Sequence, residues 1–149
     1  MSAITERVPS LLDLMRQRHH PFCAVCGRHG SGLGLSFRLL ADRSVETEFD
    51  CRSEHQGYQG ILHGGITASI LDGAMIHCLF AHGLVAVPAE MDLQFRHPVE
   101  VGKSLLARAR IQSSRPPLHV VEGELVQDGQ IRAKAVGRFM EKPDRPKPG

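Results

Sequence analysis

Gly64-Gly65-Ile66-Thr67-Ala68-Ser69-Ile70-Leu71-Asp72-Gly73-Ala74-Met75-Ile76-His77-Cys78-Leu79-Phe80-Ala81-His82 has the period of a helix but almost no polar face. At 100° per residue, Ile66, Ile70, Leu71, Ala74, Met75, Ile76, Cys78, Leu79 and Phe80 spread round the whole cylinder. A helix of that kind is wrapped by other structure rather than laid on a surface.

On both sides of it the period changes to two. Leu33, Leu35, Phe37 and Leu39 alternate with Gly34, Ser36 and Arg38; Val45, Thr47 and Phe49 alternate with Glu46, Glu48 and Asp50. After Gly83 come Met91, Leu93 and Phe95, then Leu105, Ala107, Ala109 and Ile111. A segment from Leu118 to Val126 follows the Pro116-Pro117 break, and Ile131, Ala133, Ala135 and Gly137 close the series. These are half-buried strands, with Asp128-Gly129 as a tight hairpin turn. Six strands and one buried helix predict an α+β domain, an antiparallel sheet curled round the helix.

The remaining segments are shorter. Pro9-Ser10 before Leu11, Leu12, Leu14 and Met15 predicts a helical N-terminal extension within residues 1–20, ending before Pro21. The Pro- and Lys-rich residues 141–149 read as a flexible tail. Residues 1–149 are expected to form one domain, a length that buries a core without staples.

Composition narrows the function. Eighteen Lys and Arg against 16 Asp and Glu leave a net charge of +2, which argues against nucleic acid as the partner. Residues 1–100 carry 8 basic and 11 acidic groups and residues 101–149 carry 10 and 5, an asymmetry suited to a small anionic ligand. Asp72, His77 and His82 interrupt the most apolar stretch, so a membrane span is not expected. The N-terminus lacks a secretory pattern and four cysteines are few for a disulfide scaffold, so a cytoplasmic location is expected.

The chemistry concentrates in His55-Gln56-Gly57-Tyr58-Gln59-Gly60-Ile61-Leu62-His63-Gly64-Gly65 and the helix it opens. Unpaired N–H groups and the positive end of the helix dipole face whatever docks at Gly64-Gly65. Asp72 follows Gly65 by seven residues, two turns on and on nearly the same face, about 10 Å along the axis. A carboxylate in an apolar helix is costly to bury unless it is paired or used. Donors for an oxyanion and a nearby carboxylate are parts for acyl transfer, although Gly-Gly is often only a turn and a buried Asp often only structural.

His63-Gly64-Gly65, six residues and then Asp72, after a loop ending Gly60-Ile61-Leu62, resembles the hotdog-fold acyl-CoA thioesterases, in particular their phenylacetate-pathway branch within the 4-hydroxybenzoyl-CoA thioesterase superfamily. The resemblance runs over about residues 22–140 and takes in the strand from Glu90 to Val99. It implies that the protein hydrolyses an acyl-CoA to a carboxylic acid and free CoA, with no cofactor other than the CoA of the substrate and no metal. The Gly65 amide is implied to hold the thioester carbonyl, Asp72 to act as general base or nucleophile, and His63 to orient the thioester or the loop. The site is implied to form between subunits of a homodimer or dimer of dimers.

Two positions depart from the family pattern: Gly57 stands where many members have Asn, and Glu90 where some have Ser or Thr. Gln56, Gln59 or His55 could supply the lost polar contact, and Gly64, Gln56, Gln59 and Glu90 are the expected substrate contacts beside the catalytic set. Arg108, Arg110 and Arg132 lie on polar-alternating strand positions, either a solvated face or a dock for the CoA phosphates. A non-catalytic acyl-CoA binding or sensing domain is the alternative function, and a dehydratase or isomerase a more distant one.

His20, Cys23, Cys26 and His29 recur at intervals of three. Four zinc ligands inside ten residues would strain a tetrahedron, so no metal is expected there. His77, His82 and Cys78 read as core or helix-end residues.

Overall fold

The structure, a computed structural model, describes residues 10–28, 30 and 32–142. In chain order the elements are α1 (Leu11–His19), β1 (Arg38–Leu39), β2 (Val45–Asp50), a 3-10 turn (Ser53–His55), α2 (Gly64–Ala81), β3 (Ala86–Phe95), β4 (Ser104–Arg115), β5 (Leu118–Gln127) and β6 (Gln130–Glu141). The strands form one antiparallel sheet in the order β1-β2-β4-β5-β6-β3. It curls round α2, which packs against β2, β3, β4, β5 and β6. This is the sheet curled round a helix that the alternation predicts, and the hotdog architecture that the resemblance implies.

Alternation sets the two faces of the sheet. Leu105, Ala107 and Ala109 of β4, Val121 and Leu125 of β5, and Ala133, Ala135 and Phe139 of β6 are all buried against α2. The helix meets them with Ile70, Leu71, Ala74, Met75 and Leu79, each at most 1% exposed. Fully burying a side chain of the size of Leu or Ile contributes about 1.5–3 kcal/mol, so this helix is the centre of the hydrophobic stabilisation. Long and apolar enough in itself to cross a membrane, α2 has the sheet as its surroundings.

The β5–β6 hairpin turns on Asp128 and Gly129, both with positive φ (52° and 72°), as expected of a type I′ turn. Ser10 caps α1 by accepting from the Asp13 N–H, and Arg16, Arg18 and His19 lie in the last turn, where cations suit the helix dipole.

Two strand boundaries differ from expectation. The alternation from Leu33 to Leu39 does mark a buried edge, since Leu35 and Phe37 are buried, but only Arg38 and Leu39 pair with β2. Gly34 has φ +65°, which breaks the extended run, and the N–H groups of Leu33 and Leu35 go instead to the Ala24 and Val25 carbonyls. Conversely, β3 begins at Ala86, well before Met91, because Ala86 to Pro88 pair with Glu141 to Phe139. Pro88 is tolerated because β3 is an edge strand. Residues 1–9 of the expected N-terminal extension and 143–149 of the expected tail lie outside the described residues; Glu141 ends β6 and Lys142 N–H donates to the Val85 carbonyl.

Candidate active site

The loop before α2 is pinned at both ends. Gly57 N–H donates to the Ile61 carbonyl and Ile61 N–H to the Tyr58 carbonyl, both at 2.9 Å. Leu62 N–H donates to Val99 and Val101 N–H to Gly60, which ties the loop to the β3–β4 connection. His63 N–H donates to the His55 carbonyl at 2.9 Å and so enters the helix from a fixed position.

His63 is the N-cap of α2: its Nδ1 accepts the Gly65 N–H at 2.9 Å, while its carbonyl takes the N–H groups of Ile66 and Thr67. The amide expected to receive the thioester carbonyl is therefore engaged by the imidazole. A neutral ring accepting at Nδ1 carries its proton on Nε2 and has a donor left to offer. Gly57 makes room for this ring, since a Cβ there would lie 3.2 Å from His63 Cδ2 and 3.3 Å from His63 Cα. Where the resemblance points to Asn, this chain has a residue whose smallness lets the imidazole lie where it does.

A cavity of about 780 Å³ opens at this helix end, with Tyr58, His63, Thr67, Phe95, Arg96 and His97 in its wall. Tyr58 and Phe95 are 85% and 59% exposed, so two aromatic rings stand in its wall beside solvent. Exposed aromatic surface at the mouth of a cavity is suited to the docking of an apolar group. In the sequence Phe95, Arg96 and His97 read only as the end of a strand; their position beside a glycine-opened helix is a tertiary fact.

Asp72 lies two turns along α2, outside that wall. Burial alone raises its carboxyl above the usual aspartate range. Among the described residues no hydrogen bond or ion pair reaches it. It belongs to a stripe with Gly65, Ala68, Ser69 and Ile76 along which the otherwise buried α2 stays partly open. Ser69 Oγ donates back to the Gly65 carbonyl at 2.9 Å, so Asp72 is the one side chain of that stripe with an uncommitted carboxylate.

Of the other expected contacts, Gly64 lines the cavity, and all the rest except Gln59 have structural partners. Gln56 Oε1 accepts the Gly60 N–H at 3.0 Å and closes the loop, while Gln59 is exposed and outside the cavity wall. Glu90 pairs across the sheet with Arg138 at 3.3 Å. Arg108 and Arg110 project from the outer face of β4, ion-paired with Glu46 and Glu122. Burial pushes Glu46 up, but the hydrogen bonds from Arg108 and Arg38 outweigh it and hold the carboxyl below its usual range. Arg132 is apart from both: its guanidinium donates to the Pro98 carbonyl at 2.7 Å and the Gln127 carbonyl at 3.3 Å, bracing the cavity wall. The three arginines do not form one cluster.

His77 and Cys78 are buried in α2, and His82 is its C-cap, with Nδ1 donating to the Cys78 carbonyl. Burial pushes the Cys26 thiol up to about 12, which makes it no nucleophile at neutral pH. His20, Cys23 and Cys26 come together in space; His29 lies outside the described residues.

A curled sheet round one helix, with a capped glycine-opened helix end and, on its open stripe, a carboxylate without a partner among the described residues, defines the class: a hotdog domain. A sequence profile of the Thioesterase superfamily matches residues 59–134, and the chain belongs to that family, as a hotdog-fold thioesterase. It is 22% identical to acyl-coenzyme A thioesterase 13 of Homo sapiens over 140 residues, covering 93% of this chain and 95% of that one. A phenylacetic acid degradation-related protein of Ralstonia eutropha superposes with a TM-score of 0.72 at 26% identity, over 89% of this chain and 99% of the other. A Streptococcus mutans protein solved bound to acetyl-CoA gives a TM-score of 0.68 at 19% identity, over 72% and 88% of the two chains.

Proposed function

We propose that the protein hydrolyses acyl-CoA thioesters at a site shared between two copies of the chain. One observation carries this reading: Asp72 is a half-buried carboxylate without a partner among the described residues, two helical turns from the donors that an oxyanion needs. Base and oxyanion donors must lie within hydrogen-bond reach of one carbonyl group. Within one chain about 10 Å of helix separates them. A second copy covering the open stripe of α2 would bring Asp72 of one chain to the helix end of the other. Exposed edges at β1 and β3 are consistent with such pairing. The resemblance to thioesterases and the acetyl-CoA bound by the Streptococcus mutans protein support a CoA ester as substrate.

In this mechanism Asp72 takes a proton from water as the oxygen attacks the carbonyl carbon. The oxyanion is held by the helix end, with His63 Nε2–H as donor and the Gly65 amide orienting that ring through Nδ1. Collapse expels the CoA thiolate, which takes up a proton, and leaves the carboxylic acid. Raising the Asp72 carboxyl by burial makes it a stronger base, provided it stays ionised. If Asp72 is instead the nucleophile, its carboxylate attacks the thioester carbon and expels the CoA thiolate, forming a mixed anhydride that water opens to the acid and the free Asp72 carboxylate.

Thiol release from short, long and aromatic acyl-CoAs tests the proposal. Turnover of at least one by the wild-type chain, lost in Asp72→Asn, is the expected result. In a single turnover in ¹⁸O-water, label in Asp72 identifies the anhydride route, since only attack on its aspartyl carbonyl can put it there. A second reading, binding without turnover, rests on the engagement of the Gly65 amide by His63; saturable acyl-CoA binding with no thiol release across the panel would establish it.

A further inference from the structure

Side chains that the proposed reaction does not use meet where α1 gives way to turns packed on the C-terminal half of α2. His20 Nδ1 lies 3.7 Å from Cys26 Sγ, and the ligand atoms of His20, Cys23 and Cys26 all lie within 4.8 Å of one another. With Zn–S of about 2.3 Å and Zn–N of about 2.1 Å, a nitrogen and a sulfur on one tetrahedral zinc stand about 3.6 Å apart. The His20–Cys26 separation is that edge. The strain expected from so short a spacing is relieved by the turns at residues 21–26, which fold Cys26 back toward His20. Val25 N–H also donates to Cys23 Sγ at 3.3 Å, a contact that supports a thiolate.

An independent observation comes from α2. His77 is 1% exposed; its Nδ1 donates to the Gly73 carbonyl at 2.7 Å, and its buried Nε2 has no hydrogen-bond partner among the described residues. With the proton on Nδ1, Nε2 carries a bare lone pair, and an orphaned buried acceptor is costly. An imidazole whose other nitrogen is fixed on a backbone carbonyl is oriented as metal-binding imidazoles are. Its ring centre is 6.3 Å from that of His20 and perpendicular to it. Two imidazoles on one tetrahedral zinc have centres about 5 Å apart; the His77 nitrogens stand outside the 4.8 Å group, so His77 completes the site by moving toward it as the ion binds. Gly73, one turn earlier, admits the 20–27 segment to the helix: a Cβ there would meet Val25 Cγ1 at 2.7 Å.

We propose that His20, Cys23, Cys26 and His77 bind a zinc ion that fastens α1 and the turn after it to α2. Binding displaces one proton from each thiol and changes no oxidation state. The two thiolates neutralise the ion, so the buried Arg16 nearby meets no net positive charge.

The test uses the full chain, purified without chelator under reducing conditions. Elemental analysis should find one zinc per chain, and Co²⁺ added to the stripped protein should give thiolate-to-cobalt charge-transfer absorption with tetrahedral d–d bands. Cys26→Ser should abolish the charge-transfer band, and His77→Gln should weaken Co²⁺ binding about tenfold or more. Stripping should leave CoA-thioester hydrolysis standing, which separates this site from the proposed active site. Wild-type protein that neither carries zinc nor gives the cobalt spectrum overturns the proposal, as does Co²⁺ binding unchanged in His77→Gln. The wild-type titration decides even if Cys26→Ser fails to fold.

Discussion

His63 Nδ1 accepts the Gly65 N–H at 2.9 Å, so the imidazole and the first amide donors of α2 form one unit. His63→Ala removes an N-cap and should cost about 0.5–2 kcal/mol of stability along with activity. His63→Asn restores a capping side chain but offers no Nε2–H. It should recover most of the lost stability in a thermal melt while kcat stays about 10²-fold down. Recovery of kcat together with stability would confine His63 to capping.

Gly57 sits against that ring. Gly57→Asn, which reinstates the residue frequent in the family, places a Cβ 3.2 Å from His63 Cδ2. The ring must move, so kcat should fall with little change in global stability. Enhanced turnover in this variant would show that the ring position seen here is not the productive one.

Asp72→Asn should lower turnover about 10²-fold or more with folding intact. It should also alter the pH dependence of stability. The folded-state pKa of Asp72 is raised by burial, so the folded chain holds this proton more tightly than the unfolded one. That contribution is fully present below the ordinary aspartate pKa and is lost as pH rises through the raised value. The wild-type protein should therefore lose stability relative to Asp72→Asn across that window and remain less stable than the variant at neutral pH. Denaturation midpoints at several pH values check this sign.

A site shared between chains predicts complementation. His63→Ala and Asp72→Asn are each expected to be nearly inactive, but a mixed dimer contains one site with both groups intact. Random exchange should restore about a quarter of wild-type sites. Sites confined to single chains would give no recovery on mixing.

Arg108 and Arg110 are committed to Glu46 and Glu122, whereas Arg96 lines the cavity and has no ion-pair partner among the described residues. Arg96→Gln should raise KM for acyl-CoA several-fold, with the effect shrinking at high salt, and should spare a short thioester lacking the nucleotide. Arg108→Gln with Arg110→Gln should change KM less. The opposite ranking would move the phosphate dock to the outer face of the sheet.

Period and glycine placement determined the architecture on their own. A helix apolar all round, between strands that each bury alternate residues, has few arrangements other than a sheet wrapped about it, and the Asp128-Gly129 turn sets one hairpin outright. The candidate catalytic carboxylate was legible for the same reason, being a charge in a helix with no polar face. What depended on distant contacts was not. Gly34 ends a strand that alternation alone would extend, because the backbone partners of Leu33 and Leu35 lie in the 24–25 turn. Arg108, Arg110 and Arg132 look alike in sequence, yet Glu46, Glu122 and Pro98 assign them different tasks. Likewise the packing of His20, beside Cys23 and Cys26, against the buried His77 ring joins residues more than fifty positions apart. Local pattern settles which face of an element is buried; the partner of each polar group depends on what the fold brings alongside it.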